Sequence, residues 1–288
     1  MAEGRGEDIV RFMVSSRKRL KTLIFLSGGE GTLQSIKEAT NSSSPAIIPQ
    51  LRRMERMKLL KRKGRNYSLS STGKVLAEHL RRLTATAEVF ERYPDFWNSH
   101  ELSALPEKFR MRLYELGKYR VLRADRTDPF IPHRVYIKNL EKAEWMLGVS
   151  PVLHPEYPQA VLKLVRLGKK VSLILTKEVI DKITVEYPEE LREGLKYSNA
   201  NLMICSNAYV AFTVTDFFFS MMLPLNGEHA VDMYTSILSF EESAIRLGCE
   251  LYNHYRSASY PLTEPAAPAM LEGNLRTSVA PPTPSFKY

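Results

Sequence analysis

TNSSSPAIIPQLRRMERMKLLKRKGRNY, residues 40–67, is the stretch on which the fold of this chain turns. Thr40, Asn41 and Ser42 make a polar turn. Ser44 follows as the expected N-cap of a helix, with Pro45 at the first helical position, where its missing N–H costs nothing. Ile47, Leu51 and Met54, with Ile48 alongside, recur at helical spacing and form the buried face of a helix reaching about Met57. Ala46, Pro49, Gln50, Arg53 and Arg56 are left on the opposite, polar and basic face. Pro49 removes the bond to the Pro45 carbonyl, so it should either bend the first turn or mark a later helix start. Beyond this helix, residues 59–63 and 67–70 are short apolar-containing runs on either side of Gly64, Arg65 and Asn66. That pattern is a hairpin with a basic tip.

Upstream, Asp8 caps an apolar-periodic segment that predicts one helix over residues 8–26, ended by Gly28 and Gly29. Thr32, with Ser35 three positions on, opens a short helix whose Leu33, Ile36 and Ala39 share a face. Downstream, Ser71 or Thr72 opens a fourth helix over residues 74–91. Helix, short helix, turn, helix and hairpin, in that order, make a winged helix-turn-helix.

Charge sharpens this reading. Residues 1–90 hold 18 Lys/Arg against 8 Asp/Glu, and residues 91–288 hold 23 against 24, so the whole net charge of +9 lies in the N-terminal third. A cationic segment beside a neutral one is the footprint expected for double-stranded DNA. The recognition helix would present Ser43, Ala46, Gln50 and Arg53 to base edges, Gln suiting adenine and Arg guanine, with Ser44 also in the DNA-binding set. Arg52 and Arg56 face the phosphate walls. Arg62, Lys63 and Arg65 on the wing, and Arg17, Lys18, Arg19 and Lys21 on the first helix, supply further backbone contacts. The competing reading is a set of solvated arginines on a winged-helix module that binds protein or RNA.

From residue 93 the composition changes. Pro94, Phe96 and Trp97 mark a boundary that packs instead of tethering, dividing the chain into a DNA-binding domain (1–92), an α/β effector domain (93–260) and a disordered tail (261–288) with 6 of the 17 prolines. Helices over residues 107–116, 134–143 and 157–167 alternate with strands over 119–123, 144–149 and 170–175, which predicts helices on a partly parallel sheet. Two helices over 177–197 follow. Strands over 202–205, 209–215, 217–223 and 230–238 make an antiparallel addition, and a helix over 241–257 closes the domain. The fold class is therefore mixed α/β.

Several further runs carry a family resemblance. After residues 40–67 come LSSTGK (69–74) and DFWNSHELSALPE (95–107), then YIKNLEKAEWMLGVSPVLHPEYPQAVLKLVRLGKKVSLILTKEV (136–179), YPEELRE (187–193), VAFTVTDFFFSMMLPL (210–225) and LSFEESAIRLGCELYNHYR (238–256). Together, over residues 8–256, they resemble archaeal winged-helix regulators whose C-terminal domain is named after a methanogenesis regulatory protein. The resemblance implies a sequence-specific transcription regulator from a methanogenic archaeon, in a family that includes regulators of methyl-group metabolism.

The second domain is also distantly similar to phospholipase-D-like effector domains, which raises an enzyme as the alternative. That chemistry needs a nucleophilic His with Lys two residues on. His154 is followed by Pro155 and Glu156, and His229 by Ala230 and Val231, so the pattern is missing and no catalytic residue is assigned. No phosphate loop or metal-ligand spacing is present, and no cofactor or metal is expected. A small-molecule effector remains, to be held near the carboxyl edge of the parallel strands by Ser150, His154, Tyr157 and Thr176, with Asp216 either buried with a partner or turned into a cavity. Dimerisation is expected because one winged helix contacts few base pairs; Val75, Leu76, Leu80, Leu83 and Val89 could serve it or simply form core. Two lone cysteines, Cys205 and Cys249, the lack of a secretory signal and of a membrane segment fit a cytoplasmic protein.

Overall fold

Two helices stand where the periodicity of residues 8–26 predicts one. In the computed structural model, which describes residues 5–262, α1 (Arg5–Val14) and α2 (Arg17–Ser27) are separated at Ser15 and Ser16. Ser16 is extended (φ −135°, ψ 115°), and the Ser15 hydroxyl accepts a 2.8 Å bond from Arg19. Serine side chains offer the chain such local alternatives to helix, which apolar spacing does not register.

The chain forms two compact units, residues 1–92 and 93–288. In the first, β1 (Gly31–Thr32) leads into α3 (Leu33–Thr40), capped by Thr32, whose hydroxyl accepts from the Ser35 N–H at 3.2 Å. Asn41 ends α3 in the left-handed region (φ 47°), a conformation asparagine tolerates. The next helix, α4 (Ser44–Arg56), has Ser43 as its N-cap and Ser44 as its first residue, one position earlier than expected. It runs through Pro49 without interruption. The bond Pro49 forfeits belongs to the carbonyl of Pro45, an exposed residue in the first turn, where water can replace the missing donor.

Strands β2 (Leu60–Lys63) and β3 (Asn66–Leu69) pair from Leu60↔Leu69 to Lys63↔Asn66, leaving a two-residue tip at Gly64 and Arg65. Gly64 has φ +60°, which a two-residue hairpin turn of this kind favours and glycine adopts freely. The two-residue β1 adds to the outer edge of β3, a strand too short to leave a periodic signal. The following α5 (Ser71–Arg92) starts hard against the hairpin. A Cβ on Gly73 would stand 2.1 Å from the Leu59 carbonyl oxygen, and Ser70 stitches the junction by donating to the Lys58 carbonyl (2.7 Å) and accepting from the Gly73 N–H (2.9 Å). Leu23, Ile36, Ile47, Leu51, Met54 and Tyr67 build the core of this unit.

The second unit opens with α6 (Pro94–Ser99), where Phe96 and Trp97 are buried and the Trp97 indole donates to the Tyr119 hydroxyl at 2.7 Å. The single helix expected over 107–116 is one turn, α7 (Glu107–Arg110), followed by a 3-10 turn over Leu113–Leu116. Then come β4 (Tyr119–Arg123), α8 (Ile131–Leu140), β5 (Trp145–Ser150), α9 (Tyr157–Arg166), β6 (Lys170–Thr176), α10 (Lys177–Glu186), α11 (Pro188–Gly194) and β7 (Ala200–Cys205). The unit continues with β8 (Ala211–Thr215), β9 (Phe219–Met222), β10 (Thr235–Ser239), α12 (Glu242–Arg256) and β11 (Tyr260–Pro261).

These strands make one eight-stranded mixed sheet in the order β11-β7-β6-β5-β8-β9-β10-β4, parallel across β5, β6 and β7 and antiparallel elsewhere. Every residue of β8 and β9 is buried, as a strand covered on both faces requires. Adjacent residues of β6 identify the two layers. The Ser172 hydroxyl bonds Tyr252 of α12 at 2.6 Å, whereas Leu173 faces a cavity under α9, and successive side chains point to opposite faces. The strand expected over 230–238 begins only at Thr235; before it, Val231 makes a lone bridge to Pro224. Pro261, assigned to the disordered tail, instead pairs with Met203 at the sheet edge, and the Leu262 N–H bonds the Leu202 carbonyl at 2.9 Å; residues 263–288 of that tail lie outside the described residues.

Candidate nucleic-acid interface and ligand pocket

In α4, Ile47, Leu51 and Met54 are no more than 1% exposed, so the helix is held against the core by one face and the arginines are turned out. Ser43, Arg52, Arg53 and Arg56 are exposed, and Ser44 and Ala46 are half-buried. Gln50 departs from the expected outward face: it is half-buried, and its Oε1 is buried without a hydrogen-bond partner among the described residues. The cause is its position in the helix, one residue before Leu51, beside the seam and not opposite it.

The wing adds Lys61, Arg62, Lys63 and Arg65, all exposed. Arg62 is partly ordered, donating to the Gly64 carbonyl at 3.1 Å and lying 5.5 Å from the Tyr67 ring centroid. Lys61, outside the expected set, belongs to it by exposure. Among the described residues, none of Arg52, Arg53, Arg56, Lys61, Arg62, Lys63 or Arg65 forms an ion pair with a carboxylate. On α2, Arg17 is exposed and Lys18 half-buried. Arg19, expected among the phosphate contacts, is instead 7% exposed, packed 4.1 Å over the Phe12 ring and bonded to Ser15. Among the described residues its Nε has no hydrogen-bond partner, and burial, then the charge of Arg53, lower its pKa.

On α5 the five apolar positions separate. Leu80 and Val89 are buried and Leu76 packs on the core, whereas Val75 and Leu83, two turns apart, are 60% and 64% exposed.

In the second unit, a cavity of about 160 Å³ lies between the sheet and the α8 to α11 layer, lined largely by aliphatic side chains including Met146, Leu173 and Val179. Of the five expected ligand residues, Ser150 and Tyr157 line it. Its other polar features are few. Tyr136 and Thr213 bond one another at 3.0 Å, and burial lifts the Tyr136 phenol to about 12, against the lowering effect of that bond. Burial also pushes the Tyr157 phenol up strongly. Ser150 spends its hydroxyl on the Val152 carbonyl at 2.6 Å.

Thr176 is buried at the end of β6, beside the strand that ends in Ser150, and is the N-cap of α10; it does not line the cavity. Asp216 is neither buried nor turned into the cavity. It is exposed in the turn between β8 and β9 and accepts a 2.9 Å bond from the Glu144 N–H. The apolar run around it is two strands joined by a tight turn, and a carboxylate suits the turn. His154 also lies off the cavity. It stacks on His133 (ring centroids 3.8 Å apart, 16°), a residue 23 positions before Glu156, to which the His133 imidazole is hydrogen-bonded. Burial, then the His133 charge, lower the His154 pKa, and the bond to His133 lowers that of Glu156. His133 carries no local spacing signal; the His-Pro-Glu triplet at residues 154–156 was the visible half of the cluster.

Among the described residues no helix is long and apolar enough to cross a membrane, and Cys205 and Cys249 are free thiols.

Comparison with known proteins adds the relatives. Residues 7–88 match the family described as methanogenesis regulatory protein FilR1, N-terminal domain, and residues 129–258 match the middle domain of the same family. A curated relative, methanogenesis regulatory protein FilR1 of Methanothrix harundinacea (strain 6Ac), is 24% identical over 260 residues, which are 88% of this chain and 58% of the relative. The chain thus spans little more than half of that protein's length. Among solved structures, TrmBL2, an archaeal chromatin protein, is 14% identical over 91% of this chain and all of its own, with a TM-score of 0.42. NucT from Helicobacter pylori is 12% identical over 50% of this chain and 99% of its own, with a TM-score of 0.38.

Proposed function

Because this chain belongs to the methanogenesis regulatory protein FilR1 family, we propose that it is a DNA-binding transcriptional regulator of methanogenesis or methyl-group metabolism genes, whose second unit takes up a small, mainly apolar ligand. One observation carries the DNA reading. Seven exposed cations on α4 and the wing have no carboxylate partner among the described residues, although they sit in a folded, well-packed unit. A face of this kind is neutralised by phosphates, with release of counterions. In this reading Ser43, Arg53 and Ala46 approach base edges, Arg17, Lys18, Arg52 and Arg56 the strands, and Lys61, Arg62, Lys63 and Arg65 a neighbouring backbone or minor groove.

The ligand reading rests on the cavity. A space of about 160 Å³ with aliphatic walls accommodates a body near the size of a benzene ring and disfavours charged coenzymes. Of the two expected residues that line it, Tyr157 is the polar anchor, since the Ser150 hydroxyl is already engaged by Val152; His154, Thr176 and Asp216 are not part of its lining. The unit is a binding module and not an enzyme in this account, since neither His154 nor His229 is followed by the Lys that phospholipase-D chemistry needs. Val75 and Leu83 on α5 offer a second copy an apolar seat, which fits a homodimer reading two half-sites about 34 Å apart.

The test is retention of methanogen genomic fragments by the purified full chain across a salt series. Enrichment of a common sequence, with affinity falling linearly on a logarithmic salt scale, supports the reading. No retention even in dilute salt, with the chain folded, sinks it.

A further inference from the structure

We propose that His133, His154 and Glu156 form a binding site for one divalent transition-metal ion of the class that includes zinc, cobalt and nickel. One ligand atom from each of the three residues falls in a group whose members all lie within 4.8 Å of one another. His133 comes from the first turn of α8, while His154 and Glu156 come from the loop that joins β5 to α9. Pro151, Pro155 and Pro158 restrict the backbone of that loop and its junction with α9. The loop leaves the carboxyl end of a parallel strand, where open α/β sheets collect their ligands.

Donor type selects the ion. Two imidazole nitrogens and one carboxylate oxygen suit zinc and its neighbours, whereas calcium and magnesium take oxygen ligands throughout. Three protein ligands leave a fourth tetrahedral position for water or an exogenous group. Tetrahedral donors at ~2.1 Å from an ion stand ~3.4 Å apart, so the widest separation must close by roughly an ångström. One imidazole must also turn out of the stack to aim its lone pair at the ion, a movement open to the partly exposed His154, and Glu156, with its side chain 69% exposed, leaves the ion an entry path.

A second observation separates this cluster from ordinary ring packing. The His133 side chain is only 10% exposed, yet among the described residues its Nδ1 is buried without a hydrogen-bond partner, and its Nε2 is bonded to Glu156, itself a proposed ligand. Buried polar atoms in a folded chain nearly always have a hydrogen-bond partner, so a buried ring nitrogen left without one calls for an explanation, which a bound ion would supply. Tyr157 stacks on His133 and packs at a tilt against His154, at 5.4 and 5.0 Å between ring centroids, and also lines the cavity. A bound ion would therefore fix the loop at the cavity's border.

The inference stands on the cluster alone and is independent of DNA binding. Its test uses the full chain, stripped with a chelator and titrated with cobalt(II) followed by visible absorption, then with zinc by calorimetry. The expected result is one equivalent of ion per chain, a cobalt spectrum of four-coordinate intensity and a higher melting temperature with zinc. H154Q and E156Q, both at solvent-accessible positions, should each lower affinity by about ten-fold or more, removing ligands whose supporting groups alone are worth that much. Circular dichroism would establish that both variants keep the fold. No saturable binding by the stripped chain, or binding that both folded variants leave unchanged, would overturn the site and leave the three rings as an aromatic stack.

Discussion

The two units handle charge in opposite ways. Over residues 91–288 the charges balance, 23 Lys/Arg against 24 Asp/Glu, and several cations of the second unit sit in ion pairs: Arg112 with Glu115 and Glu250, Arg134 with Asp128, Lys163 with Glu141, Arg166 with Glu193. In the first, Glu78 meets Arg81 and Arg82 on α5, which hold the Glu78 carboxyl down at about 2, while the seven cations of α4 and the wing have no carboxylate partner among the described residues. Exposed pairs contribute little stability, so this contrast is not about holding either unit together. It concerns what each surface still has to offer. A self-neutralised surface has no long-range claim on a polyanion, while an unmatched one keeps its full field.

The largest expected effect tests that contrast directly. Replacing Arg62, Lys63 and Arg65 together with Ala should weaken DNA binding about 10²- to 10³-fold near 0.1 M salt and reduce the logarithmic salt slope by about 2 to 3, uniformly across sequences. The matched control is Lys163→Ala with Arg166→Ala, which removes the same kind of charge from the paired surface. Fluorescence anisotropy with labelled duplexes reads both. Equal losses in the two variants would erase the distinction between the units.

Next in size is Gly73→Ala. Its methyl would meet the Leu59 carbonyl oxygen at 2.1 Å, backbone against backbone, where no rotamer change relieves the clash. A loss of about 3 kcal/mol is expected, confined to the unfolding of the first unit. Differential scanning calorimetry should lower one transition and leave the other in place. A single transition that moves as a whole would mean that the two units unfold together.

Ala160→Leu on α9 probes the second unit. Its longer side chain enters the cavity from the helix side, so stability should rise by about 1 kcal/mol while stabilisation by any apolar ligand disappears. Thermal-shift measurements with and without small apolar compounds check both. A lower melting temperature would mean that the space is too small to accept a side chain, let alone a ligand.

How much of this was legible depends on the range of the interaction. The winged helix could be read from Ile47, Leu51, Met54 and the Gly64 turn because those signals are local. The alternation of helix and strand was equally visible from residue 119 onward. What escaped was decided across the chain or by single polar groups. The break at Ser15 and Ser16 leaves apolar spacing intact, and β1 is two residues long. Asp216 falls between the two expected strands, but its exposure and its bond to the Glu144 N–H depend on how the β8–β9 turn packs, which the sequence does not carry. His133 and Glu156 meet only after α8 and the β5–α9 loop pack together, so the cluster has no spacing of its own. Strand-edge reasoning pointed to Ser150 and Tyr157, which do line the cavity, while the aliphatic walls around them were indistinguishable from core.

The smallest energetic effect belongs to α5, and it bears on whether the units act singly or in pairs. Val75 and Leu83 are 60% and 64% exposed, so Val75→Ser with Leu83→Ser should change the stability of the chain itself by less than about 0.5 kcal/mol. Leu80, 6% exposed on the same helix, behaves as core, and Leu80→Ala should cost about 2 kcal/mol or more. If the exposed pair seats a second copy, sedimentation velocity should find the double serine variant monomeric at concentrations where the parent chain is a dimer. Its contacts to one half-site would remain, but its affinity for a two-fold operator would fall toward that of a half-site. An unchanged dimer would move the interface off this face of α5 and leave the two side chains as ordinary exposed apolar residues.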